Sequence, residues 1–245
     1  APLDAIGAMP LFEILLYTTL AGAAIPVGGI LARIEHLQSK WLEQELRHFV
    51  IAMGGGIMLA AVALVLIPEG IEKTDHNPGA LLAFGCGGAT FFWVERLMGM
   101  HKSEKPQLFG MLLDYLPESL ALGGMFAVGA STAPLLALFI GLQNLPEGFN
   151  AFCELRAVER YSARKVLLLM LALVPLGPLL ALLGWLVLAE HEVVLGVVML
   201  FAAGGILYLI FQDIAPQSRL ARHWAPPLGA IVGFGIGLLG HLVIR

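Results

Sequence analysis

The sequence predicts an all-α integral membrane protein: a bundle of eight transmembrane helices with a polar site on the fourth and fifth. Two observations carry the fold class. Of 245 residues 58% are apolar and 13% charged, and the mean hydropathy is +0.85; a soluble domain carries about 25% charged residues. Apolar runs of about 20 residues also recur along the chain, each long enough to cross a hydrocarbon core of roughly 30 Å. No soluble domain or low-complexity tract separates them, so 1–245 reads as a single transmembrane domain.

The first run, 11–32, follows Ala1–Met9, which has neither the basic stretch nor the small-residue cleavage site of a signal peptide and is therefore expected to precede a retained span. The connector His36–Arg47 leads to the second run, 49–67, and Glu72–Pro78 to a shorter third, 79–94. His101–Gln107 precedes the fourth, 108–129. Only Ala130–Thr132 separates the fourth from the fifth, 133–153, so these two helices are expected to be antiparallel neighbours. Glu154–Arg164 then leads to the sixth, 166–189, followed by the seventh, 193–211, and the eighth, 226–244.

The basic residues orient this map. Arg33, Lys40, Arg47, Arg96, Lys102, Lys105, Arg156, Arg160, Arg164, Lys165, Arg219 and Arg222 all fall in odd-numbered connectors, leaving Lys73 and Arg245 on the other side. Positively charged loops stay in the cytoplasm, so both termini are expected outside. The net charge of −4 says little, because charge in such a chain matters by location. No basic stripe suggests nucleic acid. Cys86 and Cys153 both fall inside spans, which excludes a disulfide framework and a zinc knuckle.

Ionisable groups inside a span cost at least a few kcal/mol each and mark function by default. In the fourth span Asp114 and Glu118 are four residues apart, on one helical face; Gln143 and Glu147 repeat that spacing in the fifth, with Asn144 beside them. Counted from the short connector, Glu118 is about 13 residues back and Glu147 about 16 forward, so at 1.5 Å per residue both reach a similar depth near the bilayer middle. The segment 113–119, Leu-Asp-Tyr-Leu-Pro-Glu-Ser, also aligns with 142–148, Leu-Gln-Asn-Leu-Pro-Glu-Gly. Pro117 and Pro146 lack an N–H and free the carbonyls of Leu113 and Leu142. Carboxylates, amides and spare carbonyls aimed at one point suit a hard cation. The bland alternative is interhelical hydrogen bonding around simple kinks.

Other positions carry weaker signals. Met58 reads mainly as core, and Asp213, before Pro216, as an interfacial carboxylate. Glu69 is expected to be solvated at a span end, and His241 to be structural. The glycines Gly54–Gly56 are expected to serve close helix packing, since no strand precedes them to form a phosphate cradle.

Eight spans with Pro-Glu motifs in the fourth and fifth resemble the ZIP family of divalent metal transporters, its prokaryotic members above all. That family carries His-Asn-x-Pro-Glu-Gly in span four and Gln-Asn-x-Pro-Glu-Gly in span five. Gln143, Asn144, Pro146, Glu147 and Gly148 match the second motif completely, whereas in the first Asp114, Tyr115 and Ser119 replace histidine, asparagine and glycine. The stretch 56–61 is similar to a family segment whose methionine can be a ligand, and 212–216 to the acidic end of span seven. Gly177-Pro178 stands where the family often has Glu-Pro supplying a second metal, so a one-ion site is as open as a two-ion site.

The resemblance implies a secondary transporter, not an enzyme, moving zinc, iron or manganese toward the cytoplasm. Its implied ligands are Glu118, Glu147, Asp114, Gln143, Asn144 and Met58, with Asp213 a weaker candidate. Spans one, four, five and six would move as a unit against the rest. Asp114 in place of imidazole leans the set toward manganese or ferrous iron. The implied partners are the lipid bilayer and the ion, with a homodimer open to it, and the expected location is a bacterial inner membrane. Two alternatives stand beside this reading: a protein of the same fold that senses metal without carrying it, and an intramembrane hydrolase using Asp114 and Asp213. The orientation has a direct check. A cysteine placed at position 160 should resist an impermeant thiol reagent added outside intact cells, and labelling there would reverse the topology.

Overall fold

The computed structural model describes residues 3–35, 40–100, 106–157, 161–219 and 224–244. Lys102, Lys105, Arg160, Arg222 and Arg245, and the parts of the expected connectors at 36–39 and 101–105, lie outside the described residues. Among the described residues there are eight helical rods and no strand. We label them α1 (Leu3–Glu35), α2 (40–73), α3 (Ala80–Met100), α4 (Pro106–Ala127), α5 (Ala133–Ala157), α6 (Ala163–Leu188), α7 (Glu192–Gln217) and α8 (Leu228–Val243). Each contains most or all of one expected apolar run. Long stretches of α1, α2, α6 and α7 are long and apolar enough to cross a membrane, as those of an integral membrane protein are. The interiors of α3, α4 and α5 instead carry polar side chains among their apolar ones.

Proline explains the irregular turns. In α2 a π turn, Val62–Leu66, precedes Pro68, and in α7 a π turn, Ile210–Ile214, precedes Pro216. A proline ring clashes with the carbonyl four residues back, and a widened turn relieves the clash. In α6 the helix breaks at Val174–Pro175, where the Leu171 carbonyl accepts from Val174 N at 3.3 Å. Pro117 and Pro146, by contrast, sit inside unbroken helices. The turn from α4 to α5 needs a left-handed residue, which Gly129 supplies at φ +68°.

Several boundaries extend beyond the expected ones. The third helix continues past Val94 because its first charges have partners: Arg96 lies 5.1 Å from the centre of the Trp93 ring, and Glu95 bonds to Asp213 and Tyr208. Glu69 was expected to be solvated, but α2 runs on to Lys73 and the carboxylate is half-buried. It accepts a 2.5 Å hydrogen bond from Thr132 Oγ1 and faces Lys73 Nζ at 4.0 Å.

Glycines decide which helices pair. Lipid gives apolar helices little reason to associate, so small residues that admit close backbones set the contacts. A Cβ at Gly28 or Gly148 would strike the facing backbone of the α1–α5 pair, and one at Gly123 or Gly184 that of α4–α6. Gly56, Gly229 and Gly233 do the same for α2–α8, and Gly87 and Gly204 for α3–α7. The expected packing role of Gly54–Gly56 is thus observed: Gly56 meets the Ala230 carbonyl, Gly55 the Ile214 side chain and Gly54 the Pro146 ring. The pairs α1–α5 and α4–α6 join through α1–α6 and α4–α5 contacts; α2–α8 and α3–α7 join through α2–α7. Two groups of four result, facing each other where α2 meets α5 and α4 meets α7.

Glycines therefore divide into intolerant and indifferent positions. Gly123→Ala should lower stability by about 1–3 kcal/mol, the usual cost of overpacking. Gly235, with nothing within 4 Å of a Cβ, should accept alanine without loss. Thermal melts of the two purified variants check the contrast.

Candidate functional site

The residue types that would be costliest in lipid converge on the inside of the bundle. Asp114 is 1% exposed, Glu118 0%, Gln143 0%, Asn144 1% and Glu147 4%. The i, i+4 spacing on α4 and α5 stacks these side chains on facing stripes, and the short turn brings the stripes to one level. Gln143 Nε2 donates to Glu118 Oε2 at 2.6 Å, joining the two helices directly. The carboxyl groups of Asp114 and Glu147 face each other at hydrogen-bonding range, and Glu118 lies within electrostatic reach of each. The free face of Asp114 is further fixed by its own helix, since Tyr115 N donates to Asp114 Oδ1 at 2.8 Å. Asn144 reaches sideways, its Nδ2 donating to the Ala21 carbonyl of α1 at 2.9 Å.

What remains unpaired defines the site. Asp114 Oδ2, Glu118 Oε1, Gln143 Oε1, Asn144 Oδ1 and Glu147 Oε2 are all buried, and none has a hydrogen-bond donor among the described residues. All five are acceptors, and three belong to carboxylates. A bare buried acceptor costs about 1–3 kcal/mol, so five would cost on the order of 5–15 kcal/mol, as much as the net stability of a typical domain. The arrangement is nevertheless open: among the described residues no three His, Cys, Asp or Glu side chains form a closed metal-holding group. The acids form two contacts, Asp114 with Glu147 and Glu118 with Gln143, and any ion must bridge them with help from the amide oxygens.

The remaining sequence candidates separate. Arg47 bonds to Asn150 and Gly54 lies against Pro146, so α2 and α5 run antiparallel. One turn beyond Gly54, Met58 therefore comes to the level of Gln143, 1% exposed within the apolar core. Asp213 sits on the π turn of α7, where its carboxylate faces Glu95, which also accepts from the Tyr208 hydroxyl, and lies 3.6 Å from where a Cβ at Gly110 of α4 would stand, one turn before Asp114. Cys86 and Cys153 are not joined by a disulfide, and His241 has a buried, unpartnered Nδ1 on α8, half-exposed as a residue.

Sequence reasoning missed Asn150. It is 2% exposed and one turn beyond Glu147, a spacing that could have flagged it. Glu95 was passed over because it lies at the edge of an apolar run, and its partner is distant in sequence.

Tyr115 and Gly177, two positions at which the chain departs from the motifs of the ZIP family, lie against each other. The phenol is 1% exposed, beside Glu118 on α4, and a Cβ at Gly177 would collide with its hydroxyl. A Cβ at Gly22 of α1 would stand 2.6 Å from the same oxygen. The ring fills space that two glycines leave.

Compared with known proteins, the chain matches no family model, and no curated protein matches it. Fold and site together define an all-α membrane-type bundle with a buried, oxygen-rich cluster of carboxylates and amides.

The fit of Tyr115 to Gly177 is testable as a coupling. Gly177→Ala should lower the melting temperature, and Tyr115→Phe, which removes the colliding oxygen, should recover part of the loss. Equal destabilisation in both backgrounds would separate the two residues.

Proposed function

We propose that this protein is a secondary transporter of a divalent metal cation of the zinc, iron or manganese class, of the ZIP type. The observation that carries the reading is the set of five buried acceptor oxygens without donors on adjoining faces of α4 and α5. A proton or a water satisfies one such atom. Three carboxylates and two amide oxygens together match the all-oxygen environment that hard divalent ions take. Two carboxyls facing each other at hydrogen-bonding range also require a proton or a cation between them. Glu118, Glu147 and Asp114 would supply the negative charge, Gln143 and Asn144 neutral oxygens, and Met58, at the Gln143 level, an optional soft ligand. Gln143 can offer Oε1 to an ion while Nε2 keeps its bond to Glu118. With Tyr115 filling the space at Gly177, the site takes one ion.

The bundle would lie in a bacterial inner membrane with both termini outside, and the ion would move toward the cytoplasm. The division into two four-helix groups supports transport over sensing, because all five oxygens belong to one group and part of their cover, α2, belongs to the other.

The test is uptake and equilibrium binding in proteoliposomes, against zinc, manganese and ferrous iron. Glu147→Ala should abolish binding, since an uncompensated partner charge costs on the order of 3–5 kcal/mol. Asp114→His should raise the preference for zinc over manganese by about 1–2 kcal/mol, because imidazole suits zinc and carboxylate suits manganese. Unchanged binding in Glu147→Ala would sink the site. Binding without uptake in the unmodified chain would favour the sensing alternative.

A further inference from the structure

Beyond Glu147, α5 goes on presenting polar side chains to its neighbours. Asn150 is buried and three residues further along, on the same face. Its Oδ1 accepts from Arg47 Nε of α2 at 3.0 Å, and its Nδ2 donates to Gln217 Oε1 at the end of α7 at 3.3 Å. One amide thus ties three helices, and two of them, α2 and α7, belong to the group that does not carry the acids. A second bond between the groups, Thr132 Oγ1 to Glu69 Oε1, lies at the opposite end of the bundle. Between these ends the α2–α5 seam is van der Waals contact, with the Pro146 ring against Gly54 and no interlocking of the kind that holds α1 to α5.

We propose that the Arg47–Asn150–Gln217 chain closes the Arg47 end of the polar site, and that opening that end requires its two hydrogen bonds to break; this rests on the cation reading above. Arginine suits the task because its guanidinium stays charged at any physiological pH. Held one turn beyond Glu147, it sets a fixed positive charge where a cation leaving by that end must pass. Its neutral tether matters equally. An amide holds the guanidinium without neutralising it, as a carboxylate would, so the bond can break without stranding a buried negative charge.

The experiment uses the full chain in proteoliposomes, with Cys86→Ser, Cys153→Ser and a reporter Ala151→Cys. Ala151 is fully buried and one turn beyond Glu147. An impermeant maleimide is added separately to each face. Arg47→Met and Gln217→Met should each speed labelling from the Arg47 face about tenfold, corresponding to about 1.4 kcal/mol, the scale of one hydrogen bond. Arg47→Lys should fall between, and labelling from the opposite face should not change. Unchanged rates in both methionine variants, or an equal rise from both faces, would overturn the proposal. Gln217→Met, at a helix end, carries the test if Arg47→Met does not fold. Added Mn²⁺ separates the two readings: a reporter that responds to Arg47 but not to Mn²⁺ keeps the closure and removes the cation.

Discussion

Three carboxylates inside an apolar bundle set the terms for everything around them. Charge taken out of water is tolerable only where something positive, or a proton, meets it. The described partners of Asp114, Glu118 and Glu147 include no lysine or arginine; they are one another, an amide and a backbone N–H. An ion pair of ordinary structural use would have matched acid with base. Here the protein supplies acceptors and leaves the donor side open. The glycine contacts serve this arrangement, because α5 can stand deep between α1 and α2 only where Gly28, Gly148 and Gly54 remove side chains from the way.

Much of this was legible in the sequence, for a specific reason. Apolar run length reports helices because lipid admits few other solutions, and most or all of each expected run appears within a helix. The i, i+4 spacing of Asp114–Glu118 and Gln143–Glu147, with a connector too short to separate their helices, was enough to place the acids together. What failed was the treatment of charge at the ends. Glu69 looked like the point where a helix meets water, yet it accepts from Thr132 far away in the chain, and Glu95, which no segment-by-segment reading singled out, faces Asp213 of another helix. Hydropathy read along one segment cannot show a bond made to another. The same limit applies to the glycines, whose packing role was readable while the helix each one meets was not.

Tyr115 and Gly177 show how a departure from a motif becomes interpretable in three dimensions. Set against the motifs that the chain resembles, Tyr115 stands in the place of an asparagine and Gly177 in that of a glutamate. In the fold they are a single change, because a side chain at 177 and a phenol at 115 cannot occupy the same space. The phenol stands buried within electrostatic reach of Glu118.

The two four-helix groups differ in how they are fastened, and this bears on whether the bundle is rigid. Within a group, backbones touch through glycine, and such contacts resist sliding because carbonyls lodge where side chains are missing. Between the groups, the described α2–α5 contacts are a proline ring on a glycine and hydrogen bonds confined to the two ends. A seam with polar fastenings only at its ends has two ways to part, one at the Glu69–Thr132 end and one at the Arg47–Asn150 end. Breaking both at once would lose every bond described across α2–α5, whereas breaking one keeps the other as a pivot. The oxygens lie between the two fastenings. A seam fastened in this way parts more readily at one end than at both, as the proposed carrier role would require.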